Sequence, residues 1–139
     1  MADNSILKER SKIWKGWWKK NDCWKNPNSL FVFGDNDIGK GCGGQAIIRY
    51  ECNSIGIPTK KIPSNAQSSF YTDDEYQDNC NKIDKAINKI AERVEENQYT
   101  TILFPEDGLG TGLARLNTNA PKTLEYLNQR LSDVFGIEY

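Results

Sequence analysis

Two glycine-rich stretches in this chain each follow a short apolar segment and precede a stretch with helical character. The first covers 34–44, with five glycines in eleven residues, and comes directly after the apolar segment SLFVF. The second, DGLGTGL at 107–113, comes two residues after TTILF. A strand, a loop and a helix in repeated order are typical of a sheet with parallel strands. Because loops leaving the carboxyl ends of such strands share one edge of the sheet, the sequence predicts that the two loops meet.

The other segments continue this alternation. Isoleucine and valine at 83, 87, 90 and 94 form one apolar stripe with helical spacing, and Pro121 is suited to the first turn of a last helix. The predicted strands are 29–33, 55–62 and 100–104, with 134–139 as a candidate fourth, and the predicted helices are 45–50, 73–96 and one from 121. The fold class predicted is α/β: three layers, α/β/α, around a mainly parallel sheet.

The first 25 residues differ in charge from the rest. They carry seven lysines and arginines against three acidic residues, a local charge of +4, which leaves −5 for the remainder. Residues 5–20 are predicted to form an amphipathic helix with Trp14, Trp17 and Trp18 on one face. Because tryptophans usually bury, we expect this helix at 1–25 to pack on a domain at 26–139. Binding of nucleic acid or a membrane surface by the basic, aromatic helix is the alternative.

Composition excludes several classes of site. The chain has no histidine, which removes Ser-His-Asp and Cys-His mechanisms. Its four cysteines have no C-x-x-C spacing, so free thiols are expected and no metal site. A net charge of −1 argues against general nucleic-acid binding. No apolar run approaches the ~20 residues of a membrane span, and the amino terminus has no apolar leader, so a cytoplasmic protein without a membrane partner is expected.

The first loop contains GDNDIGKG, which is close to the P-loop of nucleoside triphosphatases. That loop requires a serine or threonine after its lysine to hold Mg²⁺, and here the residue is Gly41. Asp35 and Asp37 would also place two carboxylates in the phosphate cradle. The dinucleotide fingerprint fits only with Gly44 as its last glycine and lacks the ribose-binding acid. A diphosphate held between the two loops fits better, with Asp35, Asn36 and Asp37 accepting hydrogen bonds from hydroxyl or amino groups. Tight turns without a ligand are the alternative.

The segments VFGDNDIGKGCGGQAII and FPEDGLGTGLARL, in this order, resemble the two ligand loops of macrodomains, which bind ADP-ribose. The resemblance covers about residues 29–135 and extends to uncharacterised small proteins of bacteria and their phages. It implies that Asn36 and Leu113 contact the distal ribose and that the glycines approach the diphosphate. The ligand-binding residues expected from the loops and the resemblance are Asp35, Asn36, Gly41, Gly43, Gly44, Gln45, Gly108, Gly110, Thr111, Gly112 and Leu113.

One subgroup of that family removes ADP-ribose from carboxylates with a lysine and an aspartate of the second loop. The segment TKK resembles its lysine-bearing strand, but Ala114 stands where the aspartate is expected, and Asp107 is the nearest substitute. The candidate catalytic residues are therefore Lys60, Asp107 and Asp37. Lys60 and Lys61 should point to opposite faces of a strand, so at most one of them reaches the site. A lysine that attacks the anomeric carbon must be neutral, which requires a lowered pKa. Surface lysines without a catalytic role are the alternative.

These observations lead to one expected function and two variants of it. The expected function is binding of ADP-ribose or a related NAD-derived nucleotide, with no cofactor. One variant is hydrolysis of an ADP-ribosyl linkage on a modified protein or nucleic acid. The other is sequestration, without chemistry, of a nucleotide immune signal such as cyclic or conjugated ADP-ribose.

Overall fold

The computed structural model describes residues 4–139 and has an α/β fold. The strands in this part of the chain are β1 (Ser11–Trp14), β2 (Ser29–Asn36), β3 (Ser54–Lys60) and β4 (Thr101–Pro105). The α-helices are α1 (Asn4–Arg10), α2 (Lys20–Lys25), α3 (Tyr76–Asn97), α4 (Leu116–Asn119) and α5 (Pro121–Phe135). Short 3₁₀ helices cover Gly44–Ile48, Gln67–Ser69 and Asp73–Glu75.

The four strands of the described chain form one parallel sheet in the order β1-β4-β2-β3. From β2 the chain continues to β3 on one side, and α3 then carries it back across the sheet to β4 on the other side of β2. The chain after β2 packs on one face of the sheet through the Gly44–Ile48 helix, whereas the chain after β4 packs on the other face through α4 and α5. Such a point opens a crevice at the carboxyl edge of a parallel sheet, where ligands bind in open α/β folds.

Side chains along β2 alternate between two apolar layers. Leu30 and Val32 face a core formed with α1, α3 and α5, whereas Phe31 and Phe33 face a smaller core on the other side. The smaller core contains Cys23 of α2 as well as Trp18 and two residues of the 44–48 helix. Helical structure thus covers both faces of the sheet, which agrees with the predicted three-layer α/β/α arrangement.

The predicted helix 73–96 is confirmed as α3, after a 3₁₀ turn at Asp73–Glu75. Its buried stripe is the predicted one, since Ile83, Ile87, Ile90 and Val94 are 2% exposed or less. The last helix begins at Pro121 as predicted and ends where Gly136 adopts φ +68°. Both helices pack on the larger core, so hydrophobic spacing alone was sufficient to predict them.

The prediction of one helix over residues 5–20 is wrong. Helix α1 ends at Arg10, and Ser11–Trp14 then form strand β1, which pairs with β4 at the edge of the sheet. The chain turns at Gly16, whose φ is +103°. Pairing with residues 91 positions later in the chain outweighed the local helical pattern, as tertiary context often does.

The three tryptophans of this segment therefore do not share one face. Trp14 and Trp18 pack on the ring of Phe31, with ring centroids 5.7 and 5.1 Å away. Trp17 points away from this core and is 80% exposed. The expectation that the segment packs on the rest of the molecule is correct for Trp18, which is 6% exposed, but not for Trp17.

Four other predicted elements differ from the structure. Strand β2 continues through Asn36, and β3 ends at Lys60, where Pro63 and the turns after it interrupt the extended chain. The stretch expected to be a helix over 45–50 is a 3₁₀ helix, Gly44–Ile48. No strand forms over 134–139, because α5 extends through Phe135 and the residues after it continue without a pairing partner in the described sheet.

Candidate functional site

The two glycine loops lie against each other at the carboxyl edge of the sheet, and the side chain of Gln45 joins them. The backbone N–H of Gly34, near the end of β2, donates to Gln45 Oε1 at 2.8 Å. Gln45 Nε2 in turn donates to the carbonyl oxygen of Gly108 at 2.8 Å. A single amide side chain therefore fixes the distance between the loops that follow β2 and β4. This bridge uses both polar atoms of a residue that was expected to approach the ligand.

The second loop is held in shape by the core below it. Gly108 and Gly110 have φ values of +84° and +82°, which other residues rarely adopt. The buried side chain of Leu116 lies directly under Gly110, so that a Cβ on this glycine would be 2.5 Å from Leu116 Cδ1. Leu116 N–H also donates to the Gly110 carbonyl oxygen at 2.8 Å. The loop is thus anchored on one side and open on the other.

Backbone N–H groups of both loops are available for a ligand. Within residues 4–139, the N–H groups of 110–114 and of 41–43 donate to no protein acceptor. Unpaired N–H groups in consecutive residues of a glycine-rich loop form the concave donor arrangements that bind anions such as phosphate. Two such sets approach each other here from opposite loops.

The first cavity lies between these loops and has a volume of about 720 Å³. Its lining includes Gly34, Cys42, Gly43, Gly44, Gln45, Asp107, Gly110, Thr111, Gly112 and Leu113. Trp17 lines one side of it, with an indole that is almost completely open to solvent. The amphipathic pattern of residues 5–20 predicts a packed helix and does not indicate that Trp17 lies at a cavity. A glycine followed by two tryptophans in a basic segment was the only signal available.

A second cavity of about 400 Å³ adjoins the first. Its own lining includes Asp35, Asn36, Lys40, Gly41, Lys60, Pro63, Ser64 and Asn65. Both cavities are lined by Gly34, Gly43, Thr59, Leu113 and Ala114. Leu113 is 61% exposed and packs near Gly43 and Gly44, so it stands between the two loops where the cavities adjoin. The two cavities together form one cleft.

Asp35 and Asn36 line the second cavity and also have partners within the protein. Asp35 Oδ1 forms an ion pair with Arg49 Nη2 at 2.5 Å. The Asn36 side chain closes its own turn, since Nδ2 donates to the Lys40 carbonyl oxygen at 2.7 Å and Oδ1 accepts from Ile38 N–H at 3.2 Å. These contacts fix the loop after β2. The ribose or base contacts expected of both residues stay predictions.

Of the two adjacent lysines, Lys60 faces the cleft and Lys61 does not. Lys60 is 8% exposed and lines the second cavity, and its Nζ lies 4.8 Å from the centre of the Phe70 ring. Burial, and then the charge of Arg115, lowers the pKa of the Lys60 ammonium. Lys61 instead pairs with Glu75 at 2.5 Å on the surface. Of the two lysines, Lys60 alone therefore lines the cleft, and its catalytic role stays a prediction.

The side chains of the two candidate carboxylates do not line the second cavity with Lys60, although Asp37 N–H donates to the Lys60 carbonyl oxygen at 2.9 Å. Asp37 lines neither cavity; its carboxylate accepts from the Tyr71 hydroxyl and pairs with Lys82 Nζ at 2.8 Å. Asp107 lines the first cavity, whereas Lys60 lines the second. The three residues expected to form catalytic machinery therefore do not line a single cavity.

The carboxyl-terminal residue supports the second loop from below. The Tyr139 hydroxyl donates to the Pro105 carbonyl oxygen at 2.5 Å, and its ring lies close to Gly108. Burial, followed by the nearby charge of Asp107, raises the pKa of the Tyr139 hydroxyl. This hydroxyl is thus a hydrogen-bond donor that helps fix the loop. The sequence pattern instead predicts that Tyr139 belongs to a strand over 134–139.

Residues 4–139 contain no cluster of three or more acidic or cysteine side chains suited to a metal ion. The four cysteines are free, with Cys23 and Cys80 buried and Cys42 and Cys52 exposed. Among the helices of the described chain, none combines the length and apolarity needed to cross a bilayer.

Comparison with known proteins gives a family but no activity. Residues 13–130 match the family described as "Family of unknown function (DUF7831)", and this match includes strand β4, both glycine loops and Trp17. No curated protein and no solved structure matches the chain. The chain belongs to the DUF7831 family.

Proposed function

We propose that this DUF7831 member is a divergent macrodomain that binds ADP-ribose or a related NAD-derived nucleotide in the cleft between its glycine loops. The observation that carries the proposal is the Gln45 bridge, which sets two rows of unpaired backbone N–H groups around one cavity. Such donors suit a diphosphate, because each phosphate presents several acceptor oxygens.

The size and lining of the first cavity support a nucleotide rather than a single phosphate. A volume of about 720 Å³ is in the range of small-molecule sites, roughly 300 to 1,000 Å³. The exposed Trp17 indole offers a flat surface for a base, and stacking of a base on an aromatic side chain contributes about 1–3 kcal/mol. With the base near Trp17 and the diphosphate between the loops, the distal ribose extends past Leu113 toward Asn36.

Calorimetry with ADP-ribose, NAD, AMP and cyclic ADP-ribose tests this proposal. We expect ADP-ribose to bind and AMP, which lacks the diphosphate, to bind more weakly. Trp17→Ala should weaken binding by roughly tenfold or more, as expected for loss of a stacked base. Trp24→Ala is the matched control, since Trp24 is 64% exposed but lines neither cavity. Absence of binding by all four nucleotides would contradict the proposal, as would equal effects of the two variants.

Hydrolysis of an ADP-ribosyl linkage is the second candidate function, and Lys60 is the observation that favours it. Its ammonium is buried, unpaired among the described residues and lowered in pKa, which increases the neutral fraction that a nucleophile requires. In the binding mode proposed above, the distal ribose lies on the same side of Leu113 as Lys60. The substrates of this hydrolysis would be proteins or nucleic acids that carry ADP-ribose. We also propose that the protein is cytoplasmic, as the sequence predicts.

Release of ADP-ribose from a modified protein separates catalysis from sequestration. Hydrolysis predicts release by the wild type, loss of release in Lys60→Met and normal release in Lys61→Met. Tight binding of cyclic or conjugated ADP-ribose with recovery of the intact nucleotide would favour the sequestering variant. Release that is unchanged in Lys60→Met would exclude a nucleophilic role for this lysine.

A further inference from the structure

We infer that the second cavity is a binding site for an oxyanion, a phosphate or carboxylate, and that Lys60 is the residue that anchors it. The anion site rests on the second cavity alone. Its use for an anionic group at the far end of a bound nucleotide rests in addition on the proposed function. The ligand class would then be a nucleoside diphosphate derivative that carries a further negative charge beyond its distal sugar.

Lys60 is the first observation behind this inference. It is more than nine-tenths buried and lines the cavity, and among the described residues its ammonium takes part in no ion pair and no hydrogen bond. Buried ammonium groups are costly and are normally paired. The centre of the Phe70 ring lies 4.8 Å from Nζ, and a ring face attracts the ammonium without neutralising its charge.

Two other lysines in the same region show the usual arrangement. Lys61 pairs with Glu75 at 2.5 Å, and Lys82 pairs with Asp37 at 2.8 Å. The two lysines outside the cavity thus each form an ion pair with a carboxylate. Lys60, inside the cavity, forms none among the described residues. The missing partner of Lys60 is best supplied by an anion that enters the cavity.

The charges around the cavity agree with this reading. Lys40 lies in its lining, and the guanidinium of Arg115 lies 5.6 Å from the centre of the same Phe70 ring. The carboxylate in the lining, Asp35, is already neutralised by Arg49 at 2.5 Å. The cavity therefore carries positive charge in excess, which attracts anions and repels cations.

Polar groups suited to an oxyanion lie in the same lining. The Ser64 hydroxyl accepts a hydrogen bond from Ala66 N–H at 3.1 Å, which leaves its own hydrogen free to be donated. Asn65 contributes a side-chain amide with two N–H donors. An ammonium and neutral donors around a small cavity form a site for a compact anion with several acceptor oxygens.

Titration of the 139-residue chain with inorganic phosphate, followed by two-dimensional amide NMR, tests the inference without any nucleotide. Acetate and chloride at equal ionic strength are run in parallel to separate a phosphate site from a carboxylate site and from screening. We expect saturable shifts of the amides around Lys60, Ser64 and Asn65 with phosphate, acetate or both, but not with chloride. Since a hydrogen bond to a charged group contributes about 1.5–3 kcal/mol, Lys60→Met should weaken this binding by roughly 10- to 100-fold.

Lys61→Met is the matched control and should leave these shifts unchanged. In the wild type, phosphate should also slow reductive methylation of Lys60 relative to Lys61, a measurement that needs no variant. The inference is overturned if the second cavity gives no saturable shifts, or if the shifts persist in a folded Lys60→Met protein. Shifts confined to residues 110–114 would also overturn it, because they report an anion in the first cavity.

Failure of the two proposals can be told apart. Anion binding at Lys60 without binding of any nucleotide would retain the anion site and remove the proposed function. Nucleotide binding without shifts around Lys60 would retain the proposed function and remove the anion site.

Discussion

Gln45 Nε2 donates to the carbonyl oxygen of Gly108, 63 residues later in the chain, at 2.8 Å. This hydrogen bond, together with the one from Gly34 N–H to the same side chain, joins the loops that follow two neighbouring parallel strands. The sheet brings the loops to the same edge, and this amide sets the gap between them. The first cavity exists because of that gap.

Replacement of Gln45 by alanine should separate the loops. It leaves the Gly34 N–H and the Gly108 carbonyl without their partner, which typically costs about 1–3 kcal/mol in unfolding free energy. Nucleotide binding should decrease by more than the stability loss alone explains, because the N–H groups of the two loops are no longer held at a fixed distance from each other. Urea denaturation and calorimetry measure the two effects.

Gln129→Ala is the control for this change. Gln129 Nε2 donates to Asp133 Oδ1 at 2.9 Å on the exposed side of α5, so its loss should change stability by no more than about 0.5 kcal/mol. Equal effects at both positions would show that the Gln45 bridge has no special role.

The two glycines of the second loop should respond differently to alanine. Gly110 has φ +82°, and its Cβ would meet Leu116, so Gly110→Ala should destabilise the fold by about 1–3 kcal/mol. Gly112 has neither constraint, because nothing lies within 4 Å of its added Cβ. Gly112→Ala should therefore be within about 0.5 kcal/mol of the wild type.

A larger residue at Gly112 separates the fold from the site. Because this glycine lines the first cavity, Gly112→Leu should reduce nucleotide binding while the urea midpoint stays close to that of the wild type. Normal binding by Gly112→Leu would mean that the ligand does not pass this part of the loop.

Thiol labelling should report occupancy of the first cavity. Cys42 lines this cavity and Cys52 does not, although both are exposed. Cys23 is buried, and burial raises the pKa of its thiol to about 12, so it should remain unlabelled in the folded protein at neutral pH. Cys80 is also buried, with a raised pKa, and should behave in the same way.

The nucleotide should slow alkylation of Cys42 and leave Cys52 unchanged, as measured by peptide mass spectrometry with iodoacetamide. Equal protection of both cysteines would indicate a general change in the protein. No protection of either, at a nucleotide concentration that saturates the calorimetric signal, would place the ligand elsewhere.

Lys60→Met should stabilise the protein at neutral pH. The pKa of Lys60 is lowered by burial and by Arg115, so the unfolded chain binds this proton more tightly than the folded protein does. At pH values below the folded-state pKa, the charged lysine therefore lowers the unfolding free energy. This destabilisation disappears as pH rises through that pKa toward the ordinary lysine value of 10.5. The stability difference between Lys60→Met and the wild type should shrink over the same range.

Urea denaturation at a series of pH values between 7 and 10 measures this difference. Lys61→Met, which loses a surface ion pair with Glu75, should instead lose at most about 1 kcal/mol of stability. A Lys60→Met protein that is less stable than the wild type at neutral pH would mean that the contact with Phe70 outweighs the cost of burial.

The parts of the fold that depend on local pattern could be predicted from the sequence. The stripe of Ile83, Ile87, Ile90 and Val94 gave α3, and the order of apolar segments gave a parallel sheet. The meeting of the glycine loops followed from that order, because the carboxyl ends of parallel strands lie on one edge.

The parts that depend on distant partners could not be predicted. Strand β1 exists through pairing of Ser11 with Ile102 and of the next three residues with β4, whereas its own sequence allows a helix. The Gln45 bridge likewise needs Gly108. That Lys60 rather than Lys61 faces the cleft follows from the register of β3 against β2, which no local pattern specifies.

The edge position of β1 has a practical consequence for shortening this protein. An expression clone that starts after residue 25 would remove the neighbour of β4 and turn an interior strand into an unprotected border with unpaired backbone groups. It would also discard Leu7, Trp18 and Cys23, which fill the two cores. Precipitation of such a fragment would reflect the damaged sheet, and the contribution of Trp17 has to be measured in the intact polypeptide.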